Sequence, residues 1–188
     1  PRRTRHLALG TAMLTLMAAA LADLGTFRAT YETIHDGHIS TLMPLFLSDE
    51  LNSEWNQRLS AQRLIHTRDL GAIVHQEYAL PWPMLPRDLL MRCNRVVDHR
   101  AQKVTSTCGS VEHSSAPTTA RAVRMEIKRT EWELTPLPGD RTRLRLELEL
   151  PKRVAIGVPK FVVNYCQRHS LRDSVEALLS TAARLALP

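Results

Sequence analysis

The segment 143–150, RLRLELEL, constrains the fold more than any other part of the chain. Leucine occupies every even position and a charged residue every odd position, which is the two-residue period of a β-strand and not the period of a helix. A strand of this pattern has one apolar face and one solvated face, as strands of antiparallel sheets do. We therefore expect an antiparallel sheet with another apolar element packed over its leucines.

Other segments of the chain also have strand character. They are Thr26–Thr33, Ala72–Leu80, Asp88–Val97, Lys103–Val111 and Ala122–Leu134. In the last of them the apolar phase changes between Ile127 and Trp132, and we expect a β-bulge near residues 128–130 to absorb the change. The turn residues 138–140, Pro-Gly-Asp, separate this strand from the leucine-rich one.

Two segments have the spacing of helices. His38–Leu47 is the shorter one, and the longer one runs from Pro159, a residue that suits a first helical turn, to Leu185. The long helix carries one apolar stripe, which consists of Leu171, Val175, Leu178, Ala182 and Leu185. This order predicts an α+β fold in which a long C-terminal helix lies across a curved antiparallel sheet. Such a helix can enclose an apolar cavity, and a filled core is the alternative.

The charge of the chain limits its partners. The net charge is +6, but no Lys/Arg cluster interleaved with aromatic residues is present, so we expect no nucleic-acid partner. Transient contact with an anionic membrane surface fits this charge, and an ordinary basic surface fits it equally. A length of 188 residues suits one domain, which we expect to be a monomer.

The first 22 residues differ from the rest of the chain. PRRTRH is followed at 7–22 by an uncharged stretch rich in Ala, Leu and Met. We divide the chain into this basic and apolar segment, 1–22, and a domain at 23–188. The segment has the outline of a secretory signal, and a transit peptide, a membrane anchor or a helix of the domain are the alternatives. We expect a cytoplasmic, membrane-associated protein, with secretory or organellar targeting as the alternative.

The cysteines do not form a metal or disulfide pattern. There are three, Cys93, Cys108 and Cys166, and none belongs to a CxxC motif. We expect them to pack as small buried hydrophobic residues. Cys93 and Cys108 fall in neighbouring strands of the prediction, so an oxidising compartment would allow that pair to form a disulfide.

Four landmarks resemble one known family. The stretch 74–95, VHQEYALPWPMLPRDLLMRCNR, resembles the signature of the StAR-related lipid transfer (START) domain, with a glutamate, a Pro-Trp-Pro element and an Arg-Asp strand opening. Trp55 resembles the tryptophan after the family's first internal helix, and 122–125, AVRM, resembles a strand start of the family. The residues from Val158 to Asn164 resemble the opening of its C-terminal helix. The resemblance implies a helix-grip fold whose sheet wraps round that helix and encloses a lipid tunnel.

The resemblance also implies a ligand class. Phosphatidylcholine-binding members carry an Arg and an Asp where this chain has Asn52 and Asn56. A phosphate would lose its cationic partner here, so we expect a sterol or another neutral lipid. In the family, the loop before the C-terminal helix lies near the tunnel mouth. We expect its residues Lys152, Arg153, Ile156 and Gly157 to contact an anionic membrane, with an ordinary surface loop as the alternative.

The lipid site implied by the resemblance draws on strands and helices alike. Besides the two asparagines, its candidate residues are Trp55, Glu77, Met91, Cys93, Arg124, Met125, Trp132, Leu146, Val162 and Val175. Glu77 lies in a strand of mixed character, and a buried carboxylate there would need Arg92, Arg124 or a ligand hydroxyl as its partner. A solvent-facing Glu77 is the alternative.

No catalytic pattern stands out in the sequence. The eight histidines show no metal-ligand spacing, and His75 with Glu77 is the only acid–base pair we find. We therefore predict a lipid carrier without enzymatic activity, cofactor or metal. A cyclase of the wider helix-grip superfamily and a lipid-gated interaction module are the alternatives.

Overall fold

The computed structural model describes residues 26–48, 52–56, 58–68, 71–80, 85–151 and 160–185. The strands are β1 Thr26–His35, β2 Leu59–Arg68, β3 Gly71–Tyr78, β4 Arg87–Asp98, β5 Lys103–Ser110, β6 Val123–Arg124, β7 Arg129–Leu137 and β8 Arg141–Pro151. The helices are a 3-10 turn at Ile39–Thr41, α1 Met43–Leu47, α2 Asn52–Trp55 and α3 Lys160–Leu185. The segment 1–22 lies outside the described residues.

One sheet organises these elements. Its strand order is β1-β8-β7-β5-β4-β3-β2, and all of these neighbours pair antiparallel, while the short β6 pairs with β4 in parallel. Together with the C-terminal helix α3, this confirms the predicted α+β helix-grip architecture. Whether the sheet and helix enclose a tunnel stays a prediction.

The face of the sheet toward α3, called the inner face below, carries the alternating leucines of β8. Leu144 and Leu146 are buried there, and they share one apolar cluster with Val175 and Leu178 of α3, both of which are fully buried. Each such side chain contributes about 1.5–3 kcal/mol when it leaves water. Burial along the predicted helix stripe ends at Ala182, because Leu185 is 53% exposed.

The segment predicted as one strand at Ala122–Leu134 is two strands, so the prediction of a bulge was wrong. Between β6 and β7 the backbone changes partners: the amide of Met125 donates to the carbonyl of Asp88, and that of Lys128 donates to the carbonyl of Glu149. The chain crosses here from β4 to β8. Because β6 and β7 are separate strands with different partners, the apolar positions can change from one parity to the other without a bulge.

Two further elements depart from the sequence prediction. The strand β2 is an edge strand whose side chains are mostly exposed and whose register with β3 shifts twice, so its alternation is weak. The segment His38–Leu47 is helical as predicted but divided in two, and the second helix has Pro44 in its first turn. Within the described residues, no helix combines the length and the apolar character needed to cross a membrane.

Candidate functional site

A second apolar cluster occupies the inner face at β3 and β4. Its buried members are Val74, Leu89, Met91, Cys93 and Ile127. Met125, Tyr78 and Leu148 pack against it, and Leu148 also contacts the cluster beneath α3. No described α3 side chain belongs to this cluster, and the side chains of residues 160–169 lie outside the description.

A row of uncharged polar side chains borders this cluster. Asn56 Nδ2 donates to the hydroxyl of Tyr78 at 3.3 Å, and that hydroxyl donates to Gln76 Oε1 at 2.7 Å. Gln76 Nε2 then donates to Gln62 Oε1 at 2.7 Å. Positions 74, 76 and 78 share the inner face because side chains alternate along β3. We call these four residues the inner relay.

The inner relay carries no formal charge. Burial raises the pKa of Tyr78 to about 12, although the hydrogen bond from Asn56 acts in the opposite direction. The phenol therefore remains protonated at physiological pH, and the other three members are amides. The relay can offer hydrogen bonds to a ligand, but it cannot neutralise a ligand charge.

Three aromatic rings form another part of the inner face. Trp132 of β7 lies edge-to-face against Phe46 at 5.3 Å and against Trp55 at 5.6 Å between ring centroids. The indole N–H of Trp55 is buried and has no hydrogen-bond partner among the described residues. A buried indole N–H usually finds an acceptor, so this donor is available to a bound molecule.

Cys93 and Cys108 are joined by a disulfide between β4 and β5. The two residues are direct cross-strand partners on the inner face. The expectation that both pack as free, buried thiols was wrong, because their opposed positions in neighbouring strands bring the two sulfur atoms together. The predicted site residue Cys93 therefore belongs to the apolar cluster as half of a disulfide.

The predicted pocket residue Glu77 lies on the opposite, outer face. It pairs with Asp88, whereas Val74, an odd number of residues earlier in β3, pairs with Met91 on the inner face. Gln76 therefore occupies the inner position, and the prediction that Glu77 faces the pocket was wrong. Successive side chains of a strand point to opposite faces of the sheet, so Glu77 and its neighbour Gln76 cannot both face inward.

Arg124, another predicted site residue, also lies on the outer side. Its guanidinium contacts Asp88 and donates to the carbonyl of Ala116 at 3.1 Å, while His75 Nε2 lies 2.9 Å from the same Asp88 oxygen. Burial would raise the pKa of Asp88, but the hydrogen bonds from Arg124 and His75 outweigh it and lower that pKa. This cluster joins β6 to its neighbour β4 on the outer side of the sheet, so the structure places Arg124 away from the inner face.

The remaining predicted residues fall into four groups. Met91, Met125 and Trp132 lie on the inner face near the site, and Leu146 and Val175 belong to the core beneath α3. The backbones of Asn52 and Val162 lie in α2 and α3, but their side chains are outside the description. The loop residues Lys152, Arg153, Ile156 and Gly157 also lie outside the described residues.

Sequence reasoning missed Gln62, Gln76 and Tyr78. Two of them carried a usable signal, because Gln76 and Tyr78 have the same parity as the apolar Val74 in β3. Gln62 could not be found in this way, since the register shifts of β2 remove its alternation. Among the described residues, no three His, Cys, Asp or Glu side chains gather in a way that could hold a metal ion.

Comparison with protein families decides the classification, because the START domain pattern matches residues 24–145. The chain belongs to the START domain family. Comparison with curated proteins gives no match.

Several solved structures share the fold at low sequence identity. Human StAR-related lipid transfer protein 5 is 15% identical with a TM-score of 0.74, covering 94% of this chain and 89% of that one. A StAR-related lipid transfer protein from Xanthomonas axonopodis is 15% identical with a TM-score of 0.66, covering 90% and 98%. The Zhui aromatase/cyclase from a Streptomyces species is 12% identical with a TM-score of 0.60, covering 86% and 96%.

Proposed function

We propose that this START domain binds one lipid between α3 and the inner face of the sheet and carries it between membranes. The observation that supports this most is the apolar cluster at β3 and β4, bordered by the uncharged inner relay. An apolar surface with a few polar groups at one side is the usual lining of a ligand site. Structural neighbours named as lipid transfer proteins support the same function.

Apolar contact supplies the affinity in this proposal. Each methylene that leaves water contributes about 0.8 kcal/mol, so an acyl chain or a sterol skeleton binds without any chemical step. Val74, Leu89 and Met91 provide the contact surface in the sheet. In this proposal the ligand lies between this surface and α3, and α3 has to shift for the ligand to enter.

The preferred ligand is a neutral lipid such as a sterol or an acylglycerol. Asn52 and Asn56 stand where phosphatidylcholine-binding members resembled by this chain carry charged residues. Asn56 is also the end of an uncharged relay. The relay itself supplies no cation to a buried phosphate, so we expect phosphatidylcholine to bind weakly.

Membrane contact is transient and electrostatic. Lys152 and Arg153 precede α3 in sequence and are followed by apolar residues at 154–156. Basic residues near an anionic surface contribute about 1 kcal/mol each. The domain works as a monomer that docks through this loop, exchanges its lipid and leaves.

A cyclase is the alternative suggested by one structural neighbour. The only acid–base pair in the sequence prediction, His75 and Glu77, lies on the outer face and not beside the apolar cluster. His75 is moreover engaged with Asp88 at 2.9 Å. These positions favour a carrier over an enzyme that would use this pair.

The Cys93–Cys108 disulfide bears on where the domain works. Disulfides persist in oxidising compartments and are rare in the cytosol, so the bond favours targeting through residues 1–22 over the cytoplasmic location. Alkylation of free thiols in intact source cells, followed by peptide mapping, tests this. We expect both cysteines to escape alkylation, and labelling of both would place the domain in a reducing compartment.

Two tryptophan substitutions in β4 test the site. Met91 is 5% exposed on the inner face and Val96 is 59% exposed on the outer face, so Met91→Trp and Val96→Trp add bulk to opposite sides of one strand. We expect Met91→Trp to lose uptake of sterol from vesicles without a lower melting temperature, because the indole takes space meant for lipid. Val96→Trp should behave like the wild type. If side chains already fill the inner face, Met91→Trp is overpacked and melts earlier by about 1–3 kcal/mol, which contradicts the proposal.

A further inference from the structure

The disulfide between Cys93 and Cys108 lies at the centre of the sheet. It joins β4 to β5, and β5 has three strands on each side of it in the strand order β1-β8-β7-β5-β4-β3-β2. The next residues across the sheet are Ala72 on the β3 side and Thr130 on the β7 side. Both sulfur atoms stand on the inner face, so the backbone of the sheet separates them from solvent on the outer face.

The disulfide is also part of the apolar cluster to which the proposed function assigns the lipid. Cys93 is only 7% exposed and Cys108 is partly buried, and the cluster that contains them includes Val74, Met91 and Ile127. The approach to the two sulfur atoms from the inner face is therefore the space assigned to the lipid. A bound lipid and a reductant compete for that approach.

Reduction of this pair takes a dithiol and no other co-reactant. One thiolate of the dithiol attacks one sulfur atom of the pair, forms a mixed disulfide with it and releases the other cysteine as a thiolate. The second thiol of the reductant then attacks the mixed disulfide and releases the first cysteine. The two released thiolates take up the two protons that the dithiol lost. Two electrons pass to the protein, so the dithiol becomes a cyclic disulfide and Cys93 and Cys108 become thiols.

Reduction changes the shape of the inner face at this point. Bonded sulfur atoms lie about 2.05 Å apart, whereas non-bonded heavy atoms keep about 3.5–4.0 Å between them. The ladder between β4 and β5 holds the backbones of Cys93 and Cys108 opposite each other. The thiols therefore separate by turning their side chains, and this moves sulfur into the space above the cluster. The new S–H groups also add weak donors to an apolar surface.

We propose that the Cys93–Cys108 pair is a redox switch of the lipid site, in which the disulfide form binds lipid and reduction by a dithiol weakens that binding. The inference rests on the proposed lipid-carrier function and adds its regulation. The coupling is reciprocal: a lipid that binds the oxidised form more tightly also favours the disulfide over the dithiol by the same factor. A loaded domain thus resists a reductant that opens the empty domain.

The test measures reduction and lipid binding in the same protein. The full chain carries Cys166→Ser, so that only Cys93 and Cys108 respond to dithiothreitol. The lipid probe is the tighter binder of dehydroergosterol and a fluorescent diacylglycerol, and alkylation followed by intact mass counts the opened pairs. With the probe at ten times its Kd, about one chain in eleven is empty, so we expect reduction to slow by about tenfold. The reduced chain should bind the probe about fivefold more weakly or worse.

Two variants serve as controls. Cys93→Ala/Cys108→Ala removes both sulfur atoms and leaves the lipid space open. We expect it to bind the probe within about twofold of the oxidised chain, with or without dithiothreitol. Met91→Trp, which should not take up lipid, should be reduced at the same rate with and without the probe. Melting temperatures show which forms are folded, and the protection measurement starts from the oxidised chain, so it holds even where the reduced chain is unstable.

The outcomes separate this inference from lipid carriage. An oxidised chain that binds neither probe overturns both. If the chain binds a probe that does not slow reduction, or if the folded reduced chain binds it equally well, the redox switch is overturned while lipid carriage stands.

Two further results would also overturn the switch. One is a reduction rate of the lipid-free chain that rises with urea as steeply as global unfolding does, because the sulfur atoms would then be reached only in the unfolded chain. The other is a loss of affinity in Cys93→Ala/Cys108→Ala as large as in the reduced chain, because the bond would then act through the stability of the sheet.

Discussion

The guanidinium of Arg124 contacts a single carboxylate oxygen of Asp88 through two nitrogens, Nε at 2.9 Å and Nη2 at 2.8 Å. Asp88 is only 5% exposed, so this contact keeps a buried carboxylate ionised. Its lowered pKa has a consequence for stability. The folded-state pKa lies below the unfolded value of about 3.9, so the stabilisation is present above about pH 4 and is lost as the pH falls through the folded pKa.

Asp88→Asn tests this linkage. We expect the variant to be less stable than the wild type by about 1–3 kcal/mol at pH 7, because the Asn cannot pair with the Arg124 charge. The difference should shrink as the pH falls below about 4 and the wild-type carboxylate takes up a proton. Urea unfolding across this range measures it, with the exposed Asp98→Asn as the control that should change little. A difference that is constant with pH would contradict the account.

The phenol of Tyr78 should ionise only at high pH. Its folded-state pKa of about 12 lies above the unfolded value of about 10, so its contribution to stability is full below pH 10 and is lost as the pH rises through 12. In an absorbance titration near 295 nm, we expect one phenol to titrate near pH 12 and to disappear in Tyr78→Phe. Ionisation of that phenol near pH 10 would show that the relay is open to water.

The disulfide should stabilise the sheet. Cys93 and Cys108 are 15 residues apart in sequence, and a loop of that length corresponds to about 3 kcal/mol in the chain-entropy view. We expect reduction to lower the free energy of unfolding by about this amount in urea titrations. The double variant Cys93→Ala/Cys108→Ala should match the reduced protein, and Cys166→Ser should keep its response to reductant. If reductant leaves the free energy of unfolding of the wild type unchanged, the assignment of this disulfide is contradicted.

Alternation predicted the centre of the sheet well. The leucines and charges of β8 take opposite faces as expected, because a period of two leaves no other arrangement. The solvated face is less exposed than the pattern implied. Glu147 is only 9% exposed, since Arg28 and Arg145 cover it at 3.4 Å and 2.8 Å. The pair with Arg28 joins β1 to β8, so a local sequence pattern does not reveal it.

The site was harder to predict than the fold. Glu77 drew attention because it is charged, but the parity of Val74 places Gln76 on the inner face instead. The disulfide was left open because pairing depends on the register between β4 and β5, which local sequence does not fix. Relay bonds join Asn56, which directly follows α2, to residues of β2 and β3, so only the folded chain brings them together.

Charge reversal tests membrane docking. We expect Lys152→Glu/Arg153→Glu to slow lipid transfer from anionic vesicles by up to about fivefold per charge, and to change transfer from neutral vesicles little. Arg92→Glu/Arg100→Glu changes the net charge by the same amount, at exposed positions of the outer face and of the β4–β5 turn. This control should leave the transfer rates from both vesicle types nearly unchanged. Equal slowing on the two vesicle types would mean that the loop acts through folding.

Native mass spectrometry tests the central claim most directly. The full chain is mixed with vesicles that contain cholesterol, diacylglycerol and phosphatidylcholine, separated from them and measured intact. We expect one adduct per chain with the mass of a neutral lipid, absent in Met91→Trp and present in Val96→Trp. A chain without any lipid adduct, or an adduct that Met91→Trp retains undiminished, would contradict lipid binding at the inner face.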